Sequence, residues 1–274
     1  MRMNTGWPIH GGKIMNQDNI PKKELGQHWL KDKDSLKSII ELADLNSKDV
    51  VLEIGPGMGS LTEFLIETVE RVVAVEFDES LLRMLNIRFH DRSELEIINQ
   101  DIRKFDLNSL PANYKCVANI PYYLTSYLIR MLSQSTNAPQ LAVLLIQQEV
   151  AQRLAAKPGQ LSLLAVMAQS NWEISLGPVI PAALFTPPPK VNSQIIKLIR
   201  RDKPLIPKQQ QAAFIHLVKI GFSQKRKTLL NSLSAGLQLE KEQTRIVIEA
   251  SGLKTDIRPQ ELTIDQWLKL TKKL

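Results

Sequence analysis

The stretch DVVLEIGPGMGSL, residues 49–61, decides how the chain is read. Asp49 to Ile54 is a short apolar run halted by Gly55, the pattern of a parallel strand buried on both faces. From Ser60 the apolar residues Leu61, Phe64 and Leu65 recur at helical spacing, and Ser60 is placed to cap that helix. Between strand and helix Gly55, Gly57 and Gly59 alternate. They let the backbone approach a ligand at a helix start, where N–H groups are free and the dipole is positive. Arg71 to Glu76 reads as a second strand. It ends on a carboxylate about twenty residues beyond the glycines, the place where nucleotide-binding sheets hold ribose hydroxyls.

The alternation continues outward. A helix begins near Glu79, and apolar runs follow at Leu95–Ile98, Cys116–Ala118, Leu141–Ile146 and Ile195–Ile199. Strands separated by helices imply an α/β protein with a doubly wound, Rossmann-like parallel sheet. Arg200 to Pro207 combines prolines with charges and suits a linker. From Gln209 to Leu274 the pattern is helical throughout. Three parts are therefore expected: a mobile extension over 1–21, a sheet domain over 22–202, and a smaller all-helical domain over 203–274.

Composition narrows the classes. No apolar run approaches bilayer-spanning length, and residues 1–20 lack the apolar centre of a signal peptide. Met3 and Met15 are alternative starts. The single cysteine, Cys116, excludes an internal disulfide and suits a reducing, cytoplasmic setting. Of 35 Lys and Arg and 28 Asp and Glu, 13 basic and 6 acidic residues lie from Lys203 onward, leaving 22 of each sign in residues 1–202. The whole excess of +7 belongs to the last quarter. A neutral body with a basic appendage suggests a polyanionic partner, most simply nucleic acid.

The glycine loop is shared by dinucleotide enzymes and S-adenosylmethionine enzymes. The dinucleotide fingerprint requires G-x-G-x-x-G, and here Ser60 stands where its third glycine would be, which disfavours a nicotinamide or flavin oxidoreductase. Asp101, in NQDIRKF, closes the third strand. It could accept a bond from an adenine amino group, with the Ile102 N–H reaching a ring nitrogen, or it could simply cap a turn. Asn119, in NIPYYL, closes the fourth, in what is either a plain turn or a holder for a planar polar molecule. Gly55, Glu76, Asp101 and Asn119 thus end four successive strands along the edge where open sheets bind ligands.

Together these residues resemble a known family. Asn119-Ile120-Pro121-Tyr122 resembles the N-[LI]-P-[YF] signature of methyltransferases acting on exocyclic amino groups. GQHWL (26–30), EIGPGMG (53–59), QDI (100–102) and FTPPPKVNS (185–193) resemble the ribosomal RNA adenine N6,N6-dimethyltransferases, from about Lys22 to the C-terminus. GFSQKRKTLLNSL (221–233) and RPQEL (258–262) point to the small-subunit rRNA dimethyladenosine transferases. Erythromycin-resistance methylases, which modify large-subunit rRNA, share N-I-P-Y but usually lack the basic stretch and R-P-x-E-L. A catalytically inactive assembly factor is a further alternative, disfavoured by intact Asn119, Tyr122 and Asp101. Trp29 stands where the family usually has Phe. Ala155–Gln169 lacks the family's K-x-Y-G-x-L-S and is shorter, so the segment near the target base is expected to be built differently.

The resemblance implies S-adenosylmethionine as cofactor, contacted by Gln27, His28, Leu30, Gly55, Glu76, Asp101, Ile102 and Asn119. It implies dimethylation of two adjacent adenosines near the 3′ end of 16S rRNA in an assembling 30S subunit, by a cytoplasmic monomer without a metal. The chemistry asked of NIPY follows. An adenine N6 lone pair is delocalised into the ring. Two acceptors, the Asn119 side-chain oxygen and the Ile120 carbonyl, would bond its hydrogens and aim the lone pair, with Pro121 stiffening the turn. Tyr122 would stack on an adenine extruded from its helix, and Phe185 would close the other face. Lys219, Lys225, Arg226 and Lys227, expected on one helical stretch, are the candidate phosphate contacts.

Overall fold

The computed structural model describes residues 26–224 and 226–274; the expected extension over 1–21, the start of the sheet domain and Lys225 lie outside them. In chain order the sheet part runs β1 (Trp29–Leu30), α1 (Lys33–Ala43), β2 (Val50–Ile54), α2 (Ser60–Ile66), β3 (Arg71–Glu76), α3 (Glu79–Arg88), β4 (Leu95–Asn99) and β5 (Lys115–Asn119). It continues through α4 (Thr125–Gln134), β6 (Leu141–Gln147), α5 (Gln148–Leu154), α6 (Leu163–Gln169), β7 (Trp172–Ile180), β8 (Phe185–Thr186) and β9 (Ser193–Arg200). Four further helices follow, α7 (Gln211–Gly221), α8 (Leu229–Leu237), α9 (Lys241–Ala250) and α10 (Ile264–Thr271).

Among the described residues, seven strands form one sheet in the order β4-β3-β2-β5-β6-β9-β7. β4 to β6 pair in parallel, as expected, but β9 is antiparallel to both of its neighbours, so the sheet is mixed. A parallel pairing needs a crossover, usually a helix. Residues 181–192, rich in proline, supply only a 3₁₀ turn and the two residues of β8 before β9, so that strand must return beside β7. Successive side chains point to opposite faces. Leu52, Ile54, Cys116 and Leu144 pack with α4 residues on one side, and Val51, Val117 and Val143 with α1 and α2 residues on the other.

The first helix after the glycines differs from expectation in one detail. Ser60 is its first residue rather than its cap; Gly59 occupies the cap position at φ +78°. A Cβ at Gly59 would lie 2.6 Å from Phe89 Cε2 and 2.9 Å from Leu85 Cδ2, so the turn needs glycine both for conformation and for space. The C-terminal helices enclose their own apolar core around Phe214, Leu233, Ile248, Leu262 and Trp267, which also takes in Leu161, Ala165 and Val166. Among the described residues, no helix is long and apolar enough to cross a membrane.

Candidate active site

Strand order reverses between β2 and β5, whose connections lead to opposite sides of the sheet, and ligands bind beyond the strand ends at such a point. A cavity of about 310 Å³ lies there. Gln27, His28, Leu30, Gly55, Glu76, Asp101, Ile102, Asn119, Tyr122 and Phe185 all line it, so the structure brings every expected cofactor and target-base residue to one place.

The glycine turn forms its floor. Gly55 and Gly57 have φ of +66° and +58°, and a Cβ on Gly57 would lie 3.3 Å from Trp29 Cδ1. The indole at the family's usual Phe position therefore rests directly on the glycine turn. Glu76 is buried, and its carboxylate accepts the N–H groups of Phe77 and Asp78 at 2.9 Å each and of Gly57 at 3.3 Å. Burial pushes its pKa up; the three N–H groups hold it back. Gln27 Nε2 donates to Asp78 Oδ2 at 3.0 Å, tying the segment before β1 to the start of α3.

Asp101 caps a 3₁₀ turn, accepting the Arg103 N–H at 2.9 Å. The Arg103 guanidinium also grips it, with Nη2 at 2.5 Å and Nε at 2.9 Å from Oδ2. That pairing keeps the carboxyl below the usual carboxylate range. Asp101 is thus a cap that also lines the cavity.

Across the cavity Asn119 Nδ2 donates to the His28 carbonyl at 3.4 Å, which leaves its Oδ1 as an acceptor. Pro121 follows with φ −54° and ψ 128°. His28 Nδ1 is 2.8 Å from Pro187 O, and the His28 ring stacks on Tyr122 at 5.8 Å between centroids. One face of Tyr122 is thereby covered in the described conformation. Phe185 lines the same cavity. It is only 3% exposed and pairs through the β1–β8 ladder with Leu30, so it forms the cavity wall above the core instead of an open stacking face. Phe77 and Tyr123, at 60% and 59% exposure, are the open aromatic rings lining the cavity, and neither was singled out from the sequence.

The basic candidates are elsewhere. Lys219 is exposed near the end of α7, and Arg226 and Lys227 are exposed in the turn before α8. They do not share a helix: α7 closes at Gly221, and the Thr228 hydroxyl caps α8 by accepting the Asn231 N–H. Lys225 lies outside the described residues. Lys219 faces a second, larger groove of about 1250 Å³ between α4, α6 and the C-terminal helices, where Arg130 and Arg153 join it. Residues 159–164 of the divergent segment line this groove, and Gly159 N donates to Gln260 O at 2.8 Å. None of residues 155–169 lines the smaller cavity, so the divergence bears on the seam with the C-terminal helices rather than on the target-base pocket.

Residues 19–274 match the family described as ribosomal RNA adenine dimethylase. The chain belongs to that family. Its dimethylase relatives include the ribosomal RNA small subunit methyltransferase A of Alkaliphilus metalliredigens, 40% identical over 92% of this chain and 91% of the relative. The protein of the same name from Streptococcus uberis is 36% identical over 92% of this chain and 91% of its own length. Among solved structures, a dimethyladenosine transferase from Plasmodium falciparum superposes with a TM-score of 0.76 at 28% identity, covering 89% of this chain and 96% of that one. The 23S rRNA methyltransferase ErmE gives 0.73 at 26% identity, covering 90% and 99%. A dimethyladenosine transferase and a 23S rRNA methyltransferase thus share this fold.

Proposed function

We propose that this dimethylase uses S-adenosylmethionine to convert two adjacent adenosines near the 3′ end of 16S rRNA to N6,N6-dimethyladenosine, on an assembling 30S subunit in the cytoplasm, acting as a monomer. The observation that carries the reading is Asn119, whose amide is oriented by the His28 carbonyl beside Tyr122, in the cavity that also holds Glu76 and Asp101. The residues fit the cofactor. Glu76 suits the ribose, Asp101 and Ile102 the adenine, and the glycine turn with Gln27, His28 and Leu30 the amino-acid end. S-adenosylmethionine supplies a methyl already activated on sulfur.

The protein's part is to prepare the nucleophile. Asn119 Oδ1 and the Ile120 carbonyl accept the two amino hydrogens of the target adenine, draw its nitrogen toward tetrahedral geometry and aim the lone pair into the cavity. The same oxygens face the positive charge that grows on nitrogen as it attacks, and so favour the transition state over the ground state. Tyr122 offers its free face to the extruded base, with stacking of about 1–3 kcal/mol against an extrusion cost of similar size. Lys219, Arg226, Lys227 and Lys225 hold phosphates on the C-terminal domain, residues 203–274, away from the cofactor.

Labelled methyl transfer to purified ribosomal particles, followed by mapping of the modified positions, tests this. Two neighbouring dimethyladenosines near the 3′ end of small-subunit rRNA are expected. Label confined to large-subunit rRNA would move the protein to the erythromycin-resistance class, and label on neither would leave an assembly factor without activity.

A further inference from the structure

We propose that Tyr123 and Arg103 form a second nucleotide subsite at the mouth of the cavity. It holds the RNA nucleotide next to the target adenosine, with the base on the Tyr123 ring and the phosphate on the Arg103 guanidinium. The proposal rests on the reading above that an RNA adenosine enters this cavity beside Tyr122.

Tyr122 and Tyr123 are successive residues of the 3₁₀ turn Tyr122–Leu124, in which side chains fan out by about 120° per residue. The two rings therefore cannot serve one base. Tyr122 turns inward: its hydroxyl lies 2.8 Å from Ser193 Oγ, and His28 covers one face. Tyr123 turns outward, 59% exposed, and lines the same cavity. Its ring rests beside Gly26, where an added Cβ would lie 3.4 Å from Tyr123 Cδ1. A ring supported on one side and open on the other is a platform on which a base can stack.

Arg103 supplies the charge. Its Nε and Nη2 are spent on Asp101, but among the described residues its Nη1 makes no hydrogen bond, and the side chain is 57% exposed. The guanidinium is close enough to Tyr123 for each to feel the other's charge, and the Tyr127 hydroxyl steadies its backbone by donating to Arg103 O at 3.1 Å. Exposed Lys104 follows, so one carboxylate faces two cations here. An aromatic face beside a free guanidinium edge matches a base and a phosphate together. S-adenosylmethionine has no phosphate, and its adenine already belongs to Asp101 and Ile102. Phe77, the other open ring, directly follows Glu76 and so borders the cofactor's ribose instead. Extruding the target adenosine bares one face of each neighbouring base, and Tyr123, one residue from Tyr122, is placed to cover it.

Small-subunit particles reconstituted with an abasic nucleotide on one side or the other of the target adenosine test this, in a cycle with Tyr123→Leu. For the natural protein, kcat/KM for methyl transfer should fall about 5- to 150-fold when the base on one side is missing. Tyr123→Leu should show a similar loss on intact particles and little further loss on abasic ones, while Tyr123→Phe stays within about twofold of the natural protein. Calorimetry should find S-adenosylmethionine affinity unchanged in both variants. An uncharged methylphosphonate beside that nucleotide should cost the natural protein more than it costs Arg103→Gln. Additive losses in the Tyr123 cycle, indifference of the natural protein to both abasic positions, weakened cofactor binding by Tyr123→Leu, or an equal methylphosphonate cost to both proteins overturns the proposal. Should Tyr123→Leu not fold, the natural protein and Tyr123→Phe decide, since both must respond to the missing base. If the natural protein transfers no methyl to any small-subunit particle, the reading beneath the proposal fails instead.

Discussion

The Tyr122 hydroxyl lies 2.8 Å from Ser193 Oγ, joining the NIPY turn to the last residue of FTPPPKVNS at the start of β9. Two motifs far apart in sequence are thereby fastened to each other at the wall of one cavity. Ser193 is fully buried, so its hydroxyl has no water to turn to if the tyrosine is changed.

Tyr122→Phe should therefore cost about 1 kcal/mol of stability, seen as a lower melting temperature, while methyl transfer falls only modestly. Tyr122→Ala should remove transfer almost entirely, because the ring and its stacking against His28 are lost together. Equal turnover of the Phe and Ala variants would show that the ring does not hold the base.

Asn119→Ala should abolish most transfer while RNA binding persists. Asn119→Asp should be as damaging, since a carboxylate cannot donate to the His28 carbonyl that orients the amide. Normal transfer rates on ribosomal particles in either variant would remove Asn119 from its assigned role.

Glu76→Ala and Asp101→Ala should each weaken S-adenosylmethionine binding by about 1–3 kcal/mol, roughly 5- to 150-fold. Calorimetry on the purified variants reads this directly. Affinity unchanged in both would mean that the cofactor lies elsewhere.

The cofactor-free protein should lose thermal stability with rising pH. A carboxyl raised in the fold from 4.5 to about 8, as Glu53 is, favours folding fully below its unfolded value; that advantage shrinks between those limits and is gone above about pH 8. Glu53→Gln should flatten this slope and be relatively more stable at pH 8 and beyond. Melting curves from pH 5 to 9 test it, and parallel pH dependence in the two proteins would contradict it.

Gly59→Ala should destabilise by about 2–4 kcal/mol, combining a left-handed backbone with the clash against Phe89 and Leu85. Reversal of Lys225, Arg226 and Lys227 to Glu should instead leave folding and cofactor affinity intact. It should weaken RNA binding and flatten its salt dependence by roughly 0.7–0.9 log units for each phosphate the protein no longer neutralises. An unaltered salt slope would turn attention to Arg130 and Arg153 on the sheet part.

The parallel strands were legible because burial on both faces makes β2, β3, β5 and β6 continuous apolar runs. β7 was not, because as an edge strand it leaves Leu176 and Val179 44% and 39% exposed and breaks the run. The direction of β9 is written only in the length and stiffness of the link before it. The site's strand-end residues could be read one by one, since each follows its own strand. What could not be read are pairings across the fold, such as Tyr122 with His28 and Ser193, or the wall position of Phe185. The basic stretch looked helical because Leu229 and Leu230 continue its apolar spacing, but Thr228 caps a new helix there and leaves Arg226 and Lys227 on a turn.

The short ladder between β1 and β8 has a consequence for how the protein is made. Trp29 and Leu30 are synthesised early, and their partners Thr186 and Phe185 emerge from the ribosome much later. Until then the strand that brings His28 and Trp29 over the glycine turn has nothing to pair with, and Tyr122 lacks Ser193. A nascent chain, or one truncated before Ser193, cannot complete the pocket from its early segments alone. The cavity wall is therefore closed by residues 185–193, which are made long after the glycine turn they help to cover.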